Sequence, residues 1–588
     1  MQTIQPLTNY RKDIDGLRAF AVLAVIAFHF GYLPAGYLGV DVFFVISGYL
    51  ISGILFSELV EQKISLGKFY LRRTRRIIPL VLFVTVVVLL VGFFCMLPDD
   101  LENLSASIVA TNFFSNNILQ IFTTKNYWDI HNEFKPLVHT WSLGIEEQFY
   151  LFYPFIFLLL GMRKIKLLVP LLFCLSIISI LLFLITNNQL LTFYLIPFRF
   201  FELSLGGLAA VHLKQNAKNY YFQSKAVFLF IIMVVLLFCF GNFLPNTIAV
   251  LLTVIVSLGV ITSANNQHRI SSMLLENKVI VMIGKISFSL YLWHQPVIAF
   301  TRYVWGGSFL AKNSFAIFLF IVALSFVSYF LIEQPFRNKE KVKAKALLCF
   351  VAFMFLLSTG AALYVYLRSG IVRNVPELDI RNENVERNMH AKYNDRIYKF
   401  DKKFTTANAI KILVVGNSEA RDWANVLMES TLSSQIELSY TEKVEACKDF
   451  QSRCDTADFI FVSTIDTLGY NIKFKTYNID SQKVKIISLK SFGKSNGIFY
   501  NKKRNENYCN QRVTIDEKIY TTNENLKKQW RNNYIDLLRL VIDDKQSVNV
   551  FTPNCKFISQ DCIHFTKNGA VYFAQLLDKY FNDSLIVQ

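Results

Sequence analysis

Two ionisable residues stand in the otherwise apolar stretch "GLRAFAVLAVIAFHF": Arg18 and His29. At 100° per residue their spacing is three helical turns plus about 20°, so both fall on one helix face, about 16 Å apart along the axis. A charge in hydrocarbon costs several kcal/mol unless it meets a partner or water. From spacing alone two readings stand. Arg18 snorkels to an interface while His29 is hydrogen-bonded inside a bundle, or the pair lines a polar path in which imidazole moves protons near neutral pH.

Other residues carry the same ambiguity. "GVDVFFVISGYLI" opens on Asp41, and "HTWSLGIEEQFYLFYP" places Glu146 and Glu147 at the start of an apolar run. His294 lies in "ISFSLYLWHQP" and Glu333 in "LIEQPFR". The segment "GKFYLRRTRRIIPL", read as a loop, holds Arg72, Arg73, Arg75 and Arg76. Guanidinium forks suit phosphate, but for such a loop a topological anchor or an anionic-lipid site is the commoner explanation. Each residue alone is as readily a structural hydrogen-bonding group. Together they give one bundle a His, several acids and an Arg cluster, which is the make-up of a site.

The polar C-terminal part offers a second set. In "AIKILVVGNSEARDWANVL" an apolar strand turns through Gly-Asn-Ser into a helical pattern, with Ala420, Trp423, Ala424 and Leu427 on one face. Ser418 at that turn is a helix cap or an exposed nucleophile near helix-dipole N–H groups. Asp561 and His564 lie three apart before a final helical pattern, "FTKNGAVYFAQLL".

Such residues need elements to hold them. Of 588 residues 53% are hydrophobic and 18% charged, which excludes an ordinary soluble protein. Apolar runs near twenty residues long succeed one another up to about residue 367, each long enough to cross a bilayer. Eleven helices are expected, near 17–35, 38–58, 77–97, 142–160, 167–186, 190–211, 226–241, 246–263, 279–300, 313–333 and 346–367. The N-terminus lacks a cleavable signal pattern, so the first apolar segment is expected to stay as a helix. The net charge of +18 is a topological signal rather than a nucleic-acid one. Alternate connections hold 21 Lys and Arg residues against 4 in the others, which puts the N-terminus in the cytoplasm and, with an odd span count, the polar C-terminal part outside. Cys95, Cys174, Cys239 and Cys349 are read as packing residues. The close pairs Cys447/Cys454 and Cys555/Cys562 are expected to be disulfides of an oxidising exterior, with Cys509 left over. No metal is expected.

Six motifs, "DGLRAFAVLAVIAFH", "GVDVFFVISGYLI", "FYLRRTRRIIP", "TWSLGIEEQFYLFYP", "ISFSLYLWHQP" and "IEQPFR", together resemble the membrane acyltransferase family 3, over about residues 10 to 337. The resemblance implies transfer of acetyl or another acyl group from a cytoplasmic donor, usually acetyl-CoA, to a glycan on the other side. Arg18 and His29 match its Arg-x10-His signature, which implies a catalytic His29. Arg73 and Arg76 match its Arg-x-x-Arg motif, so the basic segment, Arg72 included, is expected to hold the CoA phosphates. At the other end, "GNS" and "DCIH" resemble blocks of the SGNH hydrolases. That resemblance implies Ser418 as nucleophile, His564 as base and Asp561 as its orienter. Two departures stand: Asn417 and Glu419 flank Ser418 where the linked family has Asp and His, and "FVSTIDTLGYN" occupies the region of the Gly-x-Asn-Asp block without matching it.

The expected organisation is an acyltransferase membrane domain of ten helices over 1–340, an eleventh transmembrane helix over 341–370, a periplasmic linker over 371–404 and an extracytoplasmic α/β SGNH-like domain over 405–588. The expected function is O-acetylation of an exported glycan at a bacterial inner membrane, with lipopolysaccharide O-antigen or another surface polysaccharide as acceptor. Peptidoglycan is the alternative. A transporter, or a glycan-binding protein with an inactive outer domain, fits less well. A transporter would not need the Arg cluster or Ser418, Asp561 and His564, and no internal repeat is seen.

Overall fold

The computed structural model describes residues 10–123, 132–161, 166–215, 224–263, 273–383, 389–463, 474–487 and 490–584. The chain divides into two compact units, a helical one ending at Leu367 and a second formed chiefly by 368–588.

In the helical unit the apolar segments form α1 (Lys12–His29), α2 (Gly39–Val60), α3 (Leu66–Cys95), α4 (Trp141–Leu160), α5 (Leu168–Ile185) and α6 (Ile196–Gln215). Then come α7 (Ser224–Phe240), α8 (Asn246–Ser263), α9 (Ser287–Trp305), α10 (Ser314–Ser328) and α11 (Ala344–Leu367). Among the described residues, eight helices are long and apolar enough to cross a membrane. The remaining three segments, α1, α7 and α9, fall short of that standard. α1 carries Lys12, Asp13, Asp15 and Arg18 in its first two turns, and α9 carries His294, Gln295 and Arg302. α7 is 17 residues long, and among the described residues its apolar stretch is counted over Ile231–Phe243 with the turn that follows it. The centre of the unit is a close crossing of α2 and α6. A Cβ at Gly48 would collide with the Leu203 carbonyl, and one at Gly206 with that of Val45, so the missing side chains let the two backbones touch.

Several expected boundaries are off by more than a turn, those of α1, α6 and α9 among them, and the largest error is at the start of α3. The basic segment is not a loop but the first turns of α3, which begins at Leu66 with the Ser65 side chain capping the N–H of Lys68. Arg, Lys and Leu are good helix formers, and nothing in "GKFYLRRTRR" breaks a helix. The end of α10 widens into a π turn over Tyr329–Glu333.

The second unit is built on five parallel strands: β1 (Ile410–Gly416), β2 (Ile436–Thr441), β3 (Phe459–Ser463) and β4 (Val484–Ile487), then, after the short β5 (Arg512–Thr514), β6 (Tyr534–Ile535). Their order is β2-β1-β3-β4-β6. β5 pairs antiparallel with β7 (Ser547–Asn549) outside that sheet. Between β1 and β3 the order reverses, and in open α/β sheets the crevice beyond the carboxyl ends at such a point is where sites form. From there α12 (Ser418–Glu429) runs back along the sheet and packs with α13 (Lys567–Ser584). The face expected of α12 is the buried one: Ala420, Trp423, Ala424 and Leu427 are all at most 1% exposed.

The expected cysteine pairing is overturned. The disulfide joins Cys509 to Cys555, with Cα atoms 5.0 Å apart, so Cys555 is not bonded to Cys562. Cys447 and Cys454 are not bonded to each other. The Cys447 thiol meets Asp449 at 3.2 Å, while Cys454 sits in a helix, Phe450–Thr456, and turns into the core under β1, β3 and β4. Cys509 and Cys555 meet because both pack on one cluster with Tyr508, Phe551 and Phe557. Closeness in sequence does not set the Cβ directions a disulfide needs.

Candidate active sites

Three cavities follow one another through the helical unit from the start of α1 to its end. The first, of about 820 Å³, is lined near the start of α1 by Arg11, Arg18, Arg76, Lys214, Lys285 and Arg337, with Tyr10, Tyr49, Asp15 and Glu58. The second is small, about 80 Å³, and shares Arg18 and Arg76 with the first; Arg73, Ser47, Ser142, Glu146 and Tyr291 complete it. The third, about 1050 Å³, shares Val40 and Tyr291 with the second and is lined by His29, His139, Trp141, Glu133 and Arg302. Arg18 and His29 thus open on different members of one series: the arginine on the first two, the histidine on the third.

The helical period of α3 sorts the four arginines. Arg73 and Arg76, three apart and so on one face, turn to the small cavity. Arg73 lies over the Tyr150 ring, 5.7 Å from its centre. Arg72 points elsewhere and pairs with Glu58 at 2.6 Å, half exposed. Arg75 donates to the carbonyls of Phe336 (3.1 Å) and Val342 (2.7 Å), a structural tie. The two acids of α4 also part company. Glu146 accepts from Ser47 (2.8 Å) and Tyr150 (3.2 Å) at the cavity wall, whereas Glu147 is buried with its Oε1 lacking a hydrogen bond.

At the end of α1, His29 Nδ1 lies 2.9 Å from the Val25 carbonyl. A carbonyl only accepts, so Nδ1 carries the hydrogen and Nε2 the lone pair. His294 stands edge-on to His29 with ring centres 4.9 Å apart, and His139 stands the same way to His294 at 5.1 Å. Arg302 donates to the His29 carbonyl at 2.7 Å and lies 3.8 Å from Glu133. Among the described residues no set of side chains is arranged to hold a metal ion.

Two predicted residues lie apart from the cavities. Asp41 is buried against Arg199 at 2.7 Å, and Arg199 also binds Glu202 at 2.9 Å. Glu333 accepts from Ser289 (2.9 Å) and Arg337 (3.2 Å), which ties the π turn to α9. Sequence reasoning missed His139, Arg302, Arg199 and Glu202. His139 begins a motif already singled out, and "FRFFEL" sets two charges three apart in an apolar run, a signal that was available.

In the second unit, Gly416 ends β1 with φ +130°, and a Cβ there would lie 2.8 Å from the Ser463 carbonyl. This turn delivers Ser418 as the first residue of α12. The cap is Asn417, whose Oδ1 accepts from the N–H of Glu419 at 3.1 Å. The Ser418 hydroxyl is therefore not the cap, and its buried oxygen makes no hydrogen bond. Asn417, one of the two departures noted above, has a structural task. Asp561 Oδ2 lies 2.5 Å from His564 Nδ1, and its Oδ1 accepts the N–H groups of Ile563 (3.0 Å) and His564 (2.7 Å). Burial pushes the Asp561 carboxyl up, but the His564 ring and these two N–H groups outweigh it and hold it below the usual range. Four residues after Ser418, Asp422 accepts the N–H of Phe565 at 2.9 Å and is paired with Lys490 at 3.0 Å. The serine's helix and the histidine's loop are so tied together. The stretch expected to hold the oxyanion block lies mostly outside the described residues.

Residues 11–334 match the family described as Acyltransferase domain. The chain belongs to that family. The O-acetyltransferase OatA of Staphylococcus aureus strain NCTC 8325 / PS 47 is 33% identical over 358 residues, 56% of this chain and 58% of that protein. OatA of strain COL matches to the same extent. The chain thus spans a little under three-fifths of the length of these relatives. No solved structure matches.

Proposed function

We propose that the protein transfers acetyl from cytoplasmic acetyl-CoA to hydroxyls of an exported glycan, with eleven helices crossing a bacterial inner membrane and the second unit, an SGNH-like domain, outside. The observation that carries this reading is the cavity series: cations gather at one end, a base stands at the other, and a small cavity that shares lining residues with both stands between them. A phosphate-rich donor is matched by the six cations of the first cavity, and the basic loop bias supports that end as the cytoplasmic one. CoA's thioester arm then points toward Arg73, Arg76 and Glu146.

His29 acts at the far end. Its Nδ1–H is held by Val25, which leaves Nε2 to take the proton of an incoming hydroxyl as the oxygen attacks the thioester carbonyl. The C–S bond breaks, and the imidazolium returns its proton to the leaving thiolate. CoA does not cross the membrane, so an outer domain cannot meet it. Ser418 therefore takes the acetyl from the ester formed at His29: its Oγ attacks that ester's carbonyl, and His564, oriented by Asp561, moves the serine proton to the hydroxyl released as the ester C–O bond breaks. A sugar hydroxyl then takes the acetyl from Ser418 in the same way, the proton returning to Ser418.

The acceptor proposed is lipopolysaccharide O-antigen or another surface polysaccharide. Peptidoglycan is the second reading, and one observation favours it: the matched relatives come from Staphylococcus aureus, an organism without lipopolysaccharide. Mass spectrometry of the surface glycans and peptidoglycan of a deletion strain and its parent tests both. Loss of acetyl from one glycan names the acceptor; unchanged acetylation of every glycan refutes the function.

A further inference from the structure

Tyr291, on α9, is with Val40 common to the small middle cavity and the large one that holds His29, and of the two it alone carries a polar group. Its Oη donates to the His139 carbonyl at 2.9 Å and lies 2.6 Å from Ser142 Oγ. Its ring packs against His139 and His294, at 5.3 and 5.4 Å, as the third corner of a triangle of rings, and lies 6.1 Å from Phe43 on the middle-cavity side. The side chain is thus braced on both sides at the narrowest point of the series, where about 80 Å³ stands between cavities of about 820 and 1050 Å³.

We propose that Tyr291 is the partition between donor and acceptor compartments: its ring must swing aside for the acyl thioester to reach His29, and while in place it keeps water of the outer cavity from the thioester and limits the acyl group that passes. This rests on the reading of the first cavity as the donor's.

The chemistry at stake is a side reaction. Water attacking the thioester carbonyl breaks the C–S bond and yields acetate and the free thiol of CoA, with the water's second proton going to the thiolate. A base beside a wet cavity would promote it whenever no acceptor is present. A tyrosine held by two hydrogen bonds suits a seal that opens: moving it breaks two neutral hydrogen bonds, each worth about 0.5–1.5 kcal/mol net, and leaves no charge unpaired.

The test uses the full-length protein in lipid nanodiscs, with acetyl-CoA and no acceptor, and a thiol reagent reading free CoA. Acetyl-CoA binding is measured on the same samples. Wild type should hydrolyse slowly. Tyr291→Ala should release thiol at least ~10-fold faster at unchanged acetyl-CoA affinity, and its relative rate with hexanoyl-CoA over acetyl-CoA should rise at least ~10-fold. Tyr291→Phe, which keeps the ring and loses the two hydrogen bonds, should leak more than wild type and less than Tyr291→Ala, with chain-length preference near wild type. A Tyr291→Ala protein that binds acetyl-CoA normally yet shows neither the leak nor the altered preference overturns the partition and leaves the donor reading intact. Wild type that fails to bind acetyl-CoA overturns the donor reading and the partition with it.

Discussion

Each unit sets a histidine beside an orienting oxygen, and the two orienters differ. In the membrane unit Nδ1 of His29 meets a backbone carbonyl, that of Val25. In the second unit Nδ1 of His564 meets the Asp561 carboxylate, itself held by two N–H groups. A carbonyl fixes the tautomer and orientation of an imidazole. A carboxylate does that and also stabilises the imidazolium. Among apolar helices an extra carboxylate would need its own partner, and the bundle spends its buried acids elsewhere, on Arg199 and on Arg337. The difference teaches that the two histidines suit different work. On the function proposed, His29 would pass a proton from an incoming hydroxyl to a leaving thiolate, and His564 would support a serine that forms and breaks an ester.

The comparison breaks hardest at Ser418. If the outer site is an obligatory covalent stop, Ser418→Ala has no way round it and glycan acetylation should fall to background; loss of a triad nucleophile elsewhere costs about 10⁶-fold. His564→Ala should follow it, and both variants should still bind acetyl-CoA, since no residue of the cationic cavity is touched. Surface glycans analysed by mass spectrometry, with binding measured on purified full-length protein, read the two parts. Full acetylation by Ser418→Ala would reduce the second unit to acceptor binding.

Next comes His29→Ala. General-base catalysis contributes about 10²–10⁴-fold, so acetylation should drop by that order with protein level and membrane insertion unchanged. Normal acetylation at equal protein level would remove His29 from the chemistry. Since Val25 orients the ring through its main-chain carbonyl, which Val25→Ala keeps, that variant should leave the rate within a few fold.

These effects follow from features of unequal visibility in the sequence. The shared face of Arg18 and His29 and the buried face of α12 are local periodicities, and the structure has both elements as helices. The Arg73/Arg76 face was legible in principle, but only to a reader who let α3 start at Leu66. What stayed hidden is long-range. Nothing near Asp41 announces Arg199, 158 residues away. Nothing near Cys555 prefers Cys509, 46 residues away, over the closer Cys562. His139 becomes a neighbour of His294 only when the end of one connection folds against α9. Pairings of this kind depend on how helices cross, which composition and spacing do not encode.

A smaller effect is expected at α3. Replacing Arg73 and Arg76 together with Lys keeps the charge that sets topology but loses the planar fork and its stacking on Tyr150. Affinity for acetyl-CoA should fall about 10-fold, the equivalent of roughly 1.4 kcal/mol, with insertion normal. Arg72→Lys, at a residue that lines none of the three cavities and is held by Glu58 at the edge of the first, should change it little. Equal binding by the double Lys variant and wild type would make the segment an anchor alone.

The smallest effect separates the two orienters by pH. The Asp561 carboxyl is held below its usual range, and an unperturbed Asp titrates near 3.9. A depressed folded value means that the unfolded chain binds the proton more readily, so stability from this group is complete above about pH 4 and is lost as pH falls through the folded value. Hydrogen bonds to a charged group are worth about 1.5–3 kcal/mol; since an amide at 561 retains part of them, Asp561→Asn should cost the loop around His564 about 1–2 kcal/mol at pH 6. Below its folded value the wild-type carboxyl is itself protonated and the gap should close. Hydrogen exchange of residues 559–566 in the full-length protein, corrected for intrinsic rates, reads this as protection that differs between variant and wild type at pH 6 and converges in acid. Val25 offers His29 a carbonyl with no proton to gain, so the end of α1 should show no such acid-dependent step. A matching loss of protection there between pH 4 and pH 2 would mean that a carboxylate supports His29 after all, and the contrast between the two sites would fall.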